Sequence, residues 1–155
     1  MFYRFRFESE IYPTLSRVPL HVRMKLDLTG GKISLKSWLG FSMEERTAVC
    51  HLPVETDEER KAFCSYLDSL SRRYFGEEAA LVAPAANPPW EDRSRIPDPV
   101  QARGQEAERP VTLEEWSQWH PCRRYALLKL SVSKNEPEQF FAALQEFREE
   151  SGKAS

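Results

Sequence analysis

The hardest constraint on this sequence is that its two halves resemble each other at a fixed displacement of 78 residues. Positions 16–63 meet positions 94–141 without a gap and with 12 identities in 48, where unrelated sequence would give roughly three. Ser16, Arg17, Pro19 and Val22 meet Ser94, Arg95, Pro97 and Val100. Leu35, Trp38, Arg46 and Ala48 meet Leu113, Trp116, Arg124 and Ala126, and Leu52, Val54, Glu58 and Phe63 meet Leu130, Val132, Glu136 and Phe141. Self-similarity of this kind implies one supersecondary unit used twice. Residues 11–76 and 89–150 are therefore expected to fold alike, with Trp38 and Trp116, and Arg46 and Arg124, as structural counterparts.

The pattern inside each half is helical. Leu15, Val18, Val22 and Leu26 recur at three- and four-residue spacing up to Gly30-Gly31, and Pro19 and Pro97 are suited to the first helical position. In the second half Gly104 is expected to shorten or fray the matching helix. Short helices then open at Ser34 and Thr112, with Trp38 and Trp116 on their inner faces. Third helices open at Ser42 and at His120-Pro121, the first burying Ala48, Val49 and Leu52, the second Tyr125, Leu127, Leu128 and Leu130. Thr56 opens a long amphipathic helix that buries Phe63, Tyr66, Leu67, Leu70 and Tyr74 and stops at Gly76. Asn135–Glu138 opens its counterpart, which carries Phe140, Phe141, Leu144 and Phe147. Ser42–Glu45, Thr56–Glu59 and Thr112–Glu115 all have capping-box spacing, in which hydroxyl and carboxylate satisfy each other's backbone donors.

Two segments fall outside the repeat. Tyr3, Phe5 and Phe7 alternate with Arg4 and Arg6, the period of extended chain, so residues 2–8 are expected to form an arm laying aromatics on the helices. Residues 77–95, rich in alanine and proline, read as a linker. The expected fold is all-α: two pseudo-symmetric helical repeats in one compact domain of residues 1–155, with an extended N-terminal arm.

Composition removes several classes of function. The chain has 22 Lys and Arg against 24 Asp and Glu, a net charge of −2, which argues against an electrostatic nucleic-acid binder. Charged residues make up 30% of the chain, and no run approaches a membrane span. The start, MFYRFRFESE, has no unbroken apolar run of signal-peptide type. Three scattered cysteines, Cys50, Cys64 and Cys122, give no disulfide framework and suit a reducing compartment. A cytoplasmic protein that does not bind membranes is expected.

Candidate chemistry is sparse. Cys50-His51 and His120-Pro-Cys122, with Cys64, offer soft ligands, but no Cys-x-x-Cys pair exists; Cys50 and Cys64 read instead as small buried apolar residues, and no metal or cofactor is expected. Arg46 and Arg124 could clamp anions, but are better read as structural, each paired with a glutamate of its own half. Paired carboxylates such as Glu44-Glu45 and Glu58-Glu59 sit at helix starts, where they complement the dipole. No glycine-rich phosphate loop, nucleophile elbow or zinc-protease motif is present, so an enzyme is not expected. Trp90, Arg93 and Arg95, around the linker, are of the residue types that dominate protein interfaces and are the expected partner-binding groups, although a buried Trp90 is the more ordinary outcome.

Several strings, taken in order, carry a resemblance. They are Arg17–Asp27 (RVPLHVRMKLD), Lys32–Trp38 (KISLKSW), Phe41–Arg46 (FSMEER), Pro89-Trp90, Ile96-Pro97, Arg124–Ser131 (RYALLKLS) and Ala143–Phe147 (ALQEF). Together they resemble the nitrate-reductase-associated protein family of cyanobacterial type, from about Phe5 to Phe147. The stretch Glu78–Ala86 and the tail after Arg148 depart from the pattern. The resemblance implies a non-enzymatic accessory or maturation factor for an assimilatory nitrate reductase, acting by contact with the catalytic subunit of the reductase, and it supplies no catalytic positions. A helical adaptor for another cytosolic partner is the rival reading; a cofactor or metal carrier is a third.

Overall fold

In chain order the helices are α1 (Leu20–Thr29), α2 (Leu35–Gly40), α3 (Met43–His51), α4 (Asp57–Phe75), α5 (Asp98–Glu106), α6 (Leu113–Gln118), α7 (Pro121–Val132) and α8 (Glu138–Lys153). Short 3₁₀ turns occupy Arg6–Ile11 and Pro89–Glu91. The computed structural model describes residues 2–134 and 137–153, and among them the chain is all-α, with no strand. No helix among these residues is long and apolar enough to cross a membrane. The chain divides into two compact units, one of Met1–Arg4 and Glu8–Ala86, the other of Phe5–Phe7 and Asn87–Ser155.

In the first unit α1 packs against α3 and α4. Ser34 caps α2 through the Ser37 amide, and Ser42/Glu45 and Thr56/Glu59 form complete capping boxes at the starts of α3 and α4. Gly30 and Gly76 end α1 and α4 in the left-handed conformation, at φ +81° and +69°, which glycine adopts without the penalty of a Cβ. Val22, Trp38, Val49 and Phe63 form the innermost core. Pro19 stands one position earlier than expected, as N-cap with extended ψ of 152°, so Leu15 and Val18 are buried ahead of the helix instead of on it. Tyr74, expected on the buried stripe of α4, is exposed and donates its hydroxyl to Glu45.

The segment after α4 is bound down within this unit. Ala79 donates to the Asp68 carboxylate, Lys32 to the Ala80 carbonyl, Val82 to the Gly30 carbonyl and Ala85 to the Asp27 carbonyl. An antiparallel bridge joins Gly31 to Leu81. The strap lies so close over Gly30 that a Cβ there would fall 2.2 Å from the Val82 oxygen.

In the second unit α7 packs against α5, α8 and the Pro89–Glu91 turn. Gly104 does not break α5, contrary to expectation. It lies inside the helix and leaves room for the returning chain, since a Cβ would meet the Arg109 oxygen at 3.0 Å and the Val111 nitrogen at 3.2 Å. Pro97, like Pro19, is an N-cap. Thr112/Glu115 is a complete capping box, and His120 accepts from the Cys122 amide ahead of Pro121. Asn135 and Glu136 lie outside the described residues. Trp116, Leu127, Phe140 and Phe147 fill the core.

The expected arm is extended only before Arg6, where the 3₁₀ turn begins. A lone extended segment has no strand to take its amide protons. Here the buried Glu146 carboxylate accepts from the amides of Arg6 and Phe7, at 3.1 and 3.0 Å, and Phe5 packs on Phe147.

The paired residues play parallel parts in their own units. Trp38 and Trp116 are both 0% exposed. Trp38 donates its indole N–H to the Leu15 carbonyl at 2.7 Å, and Trp116 donates to the Asp92 carbonyl at 2.8 Å. Arg46 and Arg124 hold backbone carbonyls, where glutamate partners were expected. Arg46 reaches Phe41, Thr14 and Leu15; Arg124 reaches Trp119, Trp116 and Trp90. Phe41 and Trp119 are the C-caps of α2 and α6. Each guanidinium therefore satisfies an orphan carbonyl at the negative end of a short helix and ties down the chain that precedes the first helix of its unit.

Candidate functional site

The expected partner-binding residues lie on and after the Pro89–Glu91 turn. Proline at the first helical position and an Asp92 carboxylate accepting from the amide and hydroxyl of Ser94 give this loop a fixed course. The same two bonds hold the Asp92 carboxyl below its usual range. Trp90 does not face outward. It is 5% exposed, meets Tyr125 edge-on with centroids 4.8 Å apart, and gives its carbonyl to Arg124. Its indole N–H is buried without an acceptor among the described residues. Trp90 is thus the anchor of the loop, and Arg93 and Arg95 are what the loop exposes. Arg95 makes an exposed ion pair with Asp98 at 3.7 Å, of a kind that contributes little and is readily exchanged for another anion. Arg93 repels the buried Arg124 charge, and burial itself is the main cause drawing the Arg124 guanidinium below its ordinary range.

A second polar cluster, in the first unit, was not anticipated. His21 and Lys25 stand one turn apart on α1, 1% and 4% exposed, and both reach the Cys50 carbonyl, at 3.0 and 2.7 Å. That carbonyl is among the last of α3, where helical partners run out and positive charge is favoured. An N–H of His21 facing a carbonyl must be the donor, which fixes the Nε2–H tautomer and leaves Nδ1 buried without a partner among the described residues. Burial pushes the imidazole down to about 3, with the Cys50 bond opposing. Phe2 stacks on the ring at 4.8 Å. Glu8 lies nearby, accepting from the Tyr12 hydroxyl at 2.7 Å and the Leu20 amide at 3.4 Å. It supplies from a distant turn the N-terminal cap that Pro19 cannot give α1, and burial lifts its carboxyl to about 7. Spacing on α1 could have revealed the His21–Lys25 pair, two polar residues at i and i+4 within an apolar stripe; nothing local marks Glu8.

These groups do not make a nucleophilic centre. Burial raises the Cys50 thiol to about 12, far from the thiolate that reactivity requires. Cys50 and Cys122 are buried, and Cys64, half-buried, rests against the Thr29 carbonyl at 3.7 Å. Among the described residues no three His, Cys, Asp or Glu side chains gather as a metal would require.

A family model described as conserved nitrate reductase-associated protein matches residues 4–147. No curated protein and no solved structure matches the chain.

Proposed function

Because the chain belongs to the conserved nitrate reductase-associated protein family, we propose that it is a non-enzymatic accessory factor of an assimilatory nitrate reductase, acting in the cytoplasm by contact with the catalytic subunit. The family match over residues 4–147 is the observation that carries this reading. The interior is compatible with it: the side chains of Glu8, His21, Lys25 and Arg124 hold backbone groups at helix ends. Exposed arginines are the natural contacts for a protein partner, and Arg93 and Arg95 are held by a loop that Trp90 anchors.

The test is co-purification. Tagged full-length chain, expressed in cells growing on nitrate, should capture the reductase catalytic subunit. Arg93→Glu/Arg95→Glu should weaken capture while leaving the helical circular-dichroism signal intact. Failure of the wild type to capture the reductase overturns the contact itself; equal capture by the double variant overturns only the loop as its location.

A further inference from the structure

Most arginines of this chain are engaged. Arg72, Arg73, Arg103, Arg123 and Arg148 lie within ion-pair distance of carboxylates, and Arg46 and Arg124 hold carbonyls. Arg17, Arg23, Lys32 and Lys36 differ. All four are exposed, and none has an ion pair or a side-chain hydrogen bond among the described residues. Arg17, Arg23 and Lys32 line hollows that share Ile33 in the first unit, and Lys36 is the sequence neighbour of a lining residue. Arg17 and Arg23 line a cavity of about 190 Å³ with Val18, Leu26, Ile33 and Leu35. Ile33 also lines an adjoining cleft of about 260 Å³, whose wall includes Lys32, and Lys36 follows Leu35 on α2.

Three carboxylates lie close to this group: Glu8, and Glu77 and Glu78 on the wall of the cleft that Lys32 lines, where Glu78 already pairs with Arg72. Glu8 feels the charges of Arg23 and Arg17, but its oxygens are held by Tyr12 and Leu20. Leu35, at the mouth of the cavity, is 51% exposed. An aliphatic hollow rimmed by unpaired cations gains from an occupant that brings one apolar group and several negative charges, because burial and charge complementarity then act together.

We propose that this hollow docks an acidic segment of a partner protein, with one aliphatic or aromatic side chain entering between Leu26, Ile33 and Leu35 and flanking Asp or Glu carboxylates meeting Arg17, Arg23, Lys32 and Lys36. Nucleic acid is a poorer fit, since the hollow between Arg17 and Arg23 is lined by aliphatic side chains, and the cleft that adds Phe41 and Phe75 also carries Glu77 and Glu78, which would repel phosphate. The chemistry of this surface stands on its own geometry; only the assignment of the segment to the reductase rests on the accessory reading.

Panning a random peptide display library against the full chain tests the surface directly. The peptides recovered should carry Asp and Glu around a Leu, Ile or Phe. Their affinity should fall by about tenfold or more for Arg17→Gln/Arg23→Gln and for Leu35→Asp, and fall again when salt rises from about 0.05 to 0.3 M. Arg93→Glu/Arg95→Glu should leave it unchanged. Recovery of neutral or basic peptides, equal binding by both cavity variants, or tighter binding of single-stranded DNA or anionic vesicles than of any peptide would overturn the proposal. Circular dichroism of each variant secures the comparison, and Leu35→Asp tests the cavity if the arginine pair proves structural. The best peptide is then added to reductase capture: loss of capture places the reductase on this surface, whereas peptide binding with unchanged capture refutes that assignment and leaves the surface standing.

Discussion

At Glu8 burial lifts a carboxyl from 4.5 to about 7, and at His21 burial lowers an imidazole from 6.5 to about 3, so the two groups act on stability with opposite sign. Between about pH 4.5 and 7 the folded chain holds a proton on Glu8 that the unfolded chain has released, and stability falls as pH rises through that window. Between about pH 3 and 6.5 the unfolded chain holds a proton that buried His21 refuses, and stability rises with pH. The slopes largely cancel where the windows overlap. Glu8→Gln removes one of them. It should match the wild type near pH 4, exceed it at pH 8 by on the order of 2 kcal/mol, and show a rising stability from pH 4.5 to 6.5; urea unfolding across pH checks this. Arg124→Met should cost about 3 kcal/mol or more, because it strands buried carbonyls, and the half-exposed Arg46→Met about 1 kcal/mol, since water can replace the guanidinium. Equal costs would mean that Arg124 is not the sole donor those carbonyls have. The sequence sets Arg46 and Arg124 at matching positions but does not reveal their partners: backbone carbonyls leave no side-chain signature, whereas the expected glutamates would have.

Helix starts were the most legible elements. Ser34 opens its helix as expected, and Ser42, Thr56 and Thr112 cap where their spacing to the following glutamate says they should, because capping is a contact within four residues. Elements whose form depends on distant chain were less legible. Gly104 looked like a breaker and serves instead as a point of close approach to Arg109–Val111. The alternation of Tyr3, Phe5 and Phe7 looked extended throughout, but Glu146 takes the amides of Arg6 and Phe7 and lets the chain turn. The alanine- and proline-rich stretch after α4 gave no hint that residues 79–85 would be hydrogen-bonded over Gly30. That contact makes a test at this scale. Gly30→Ala combines a left-handed φ with a Cβ on the Val82 oxygen and should cost about 1–3 kcal/mol. Hydrogen exchange should show the Val82 and Lys32 amides losing protection while the interior of α4 keeps its own. Unchanged protection at Val82 would show that the strap does not depend on this approach.

Taken whole, the chain presents two units with helices in the same order, medium, short, medium and long, and with tryptophan and arginine counterparts in like surroundings. We propose that one four-helix unit was duplicated, and that the copies then diverged on their surfaces: exposed Arg93 and Arg95 beside the second, the cation-rimmed hollow on the first. Function was the least legible property, because a contact surface carries no motif of fixed spacing. The accessory role is tested most directly in a strain lacking this gene and any second copy of it. Nitrate reductase activity in extracts, and growth on nitrate, should fall sharply while growth on nitrite or ammonium is unchanged, and the intact gene should restore both. Full reductase activity in the deletion strain would contradict that role.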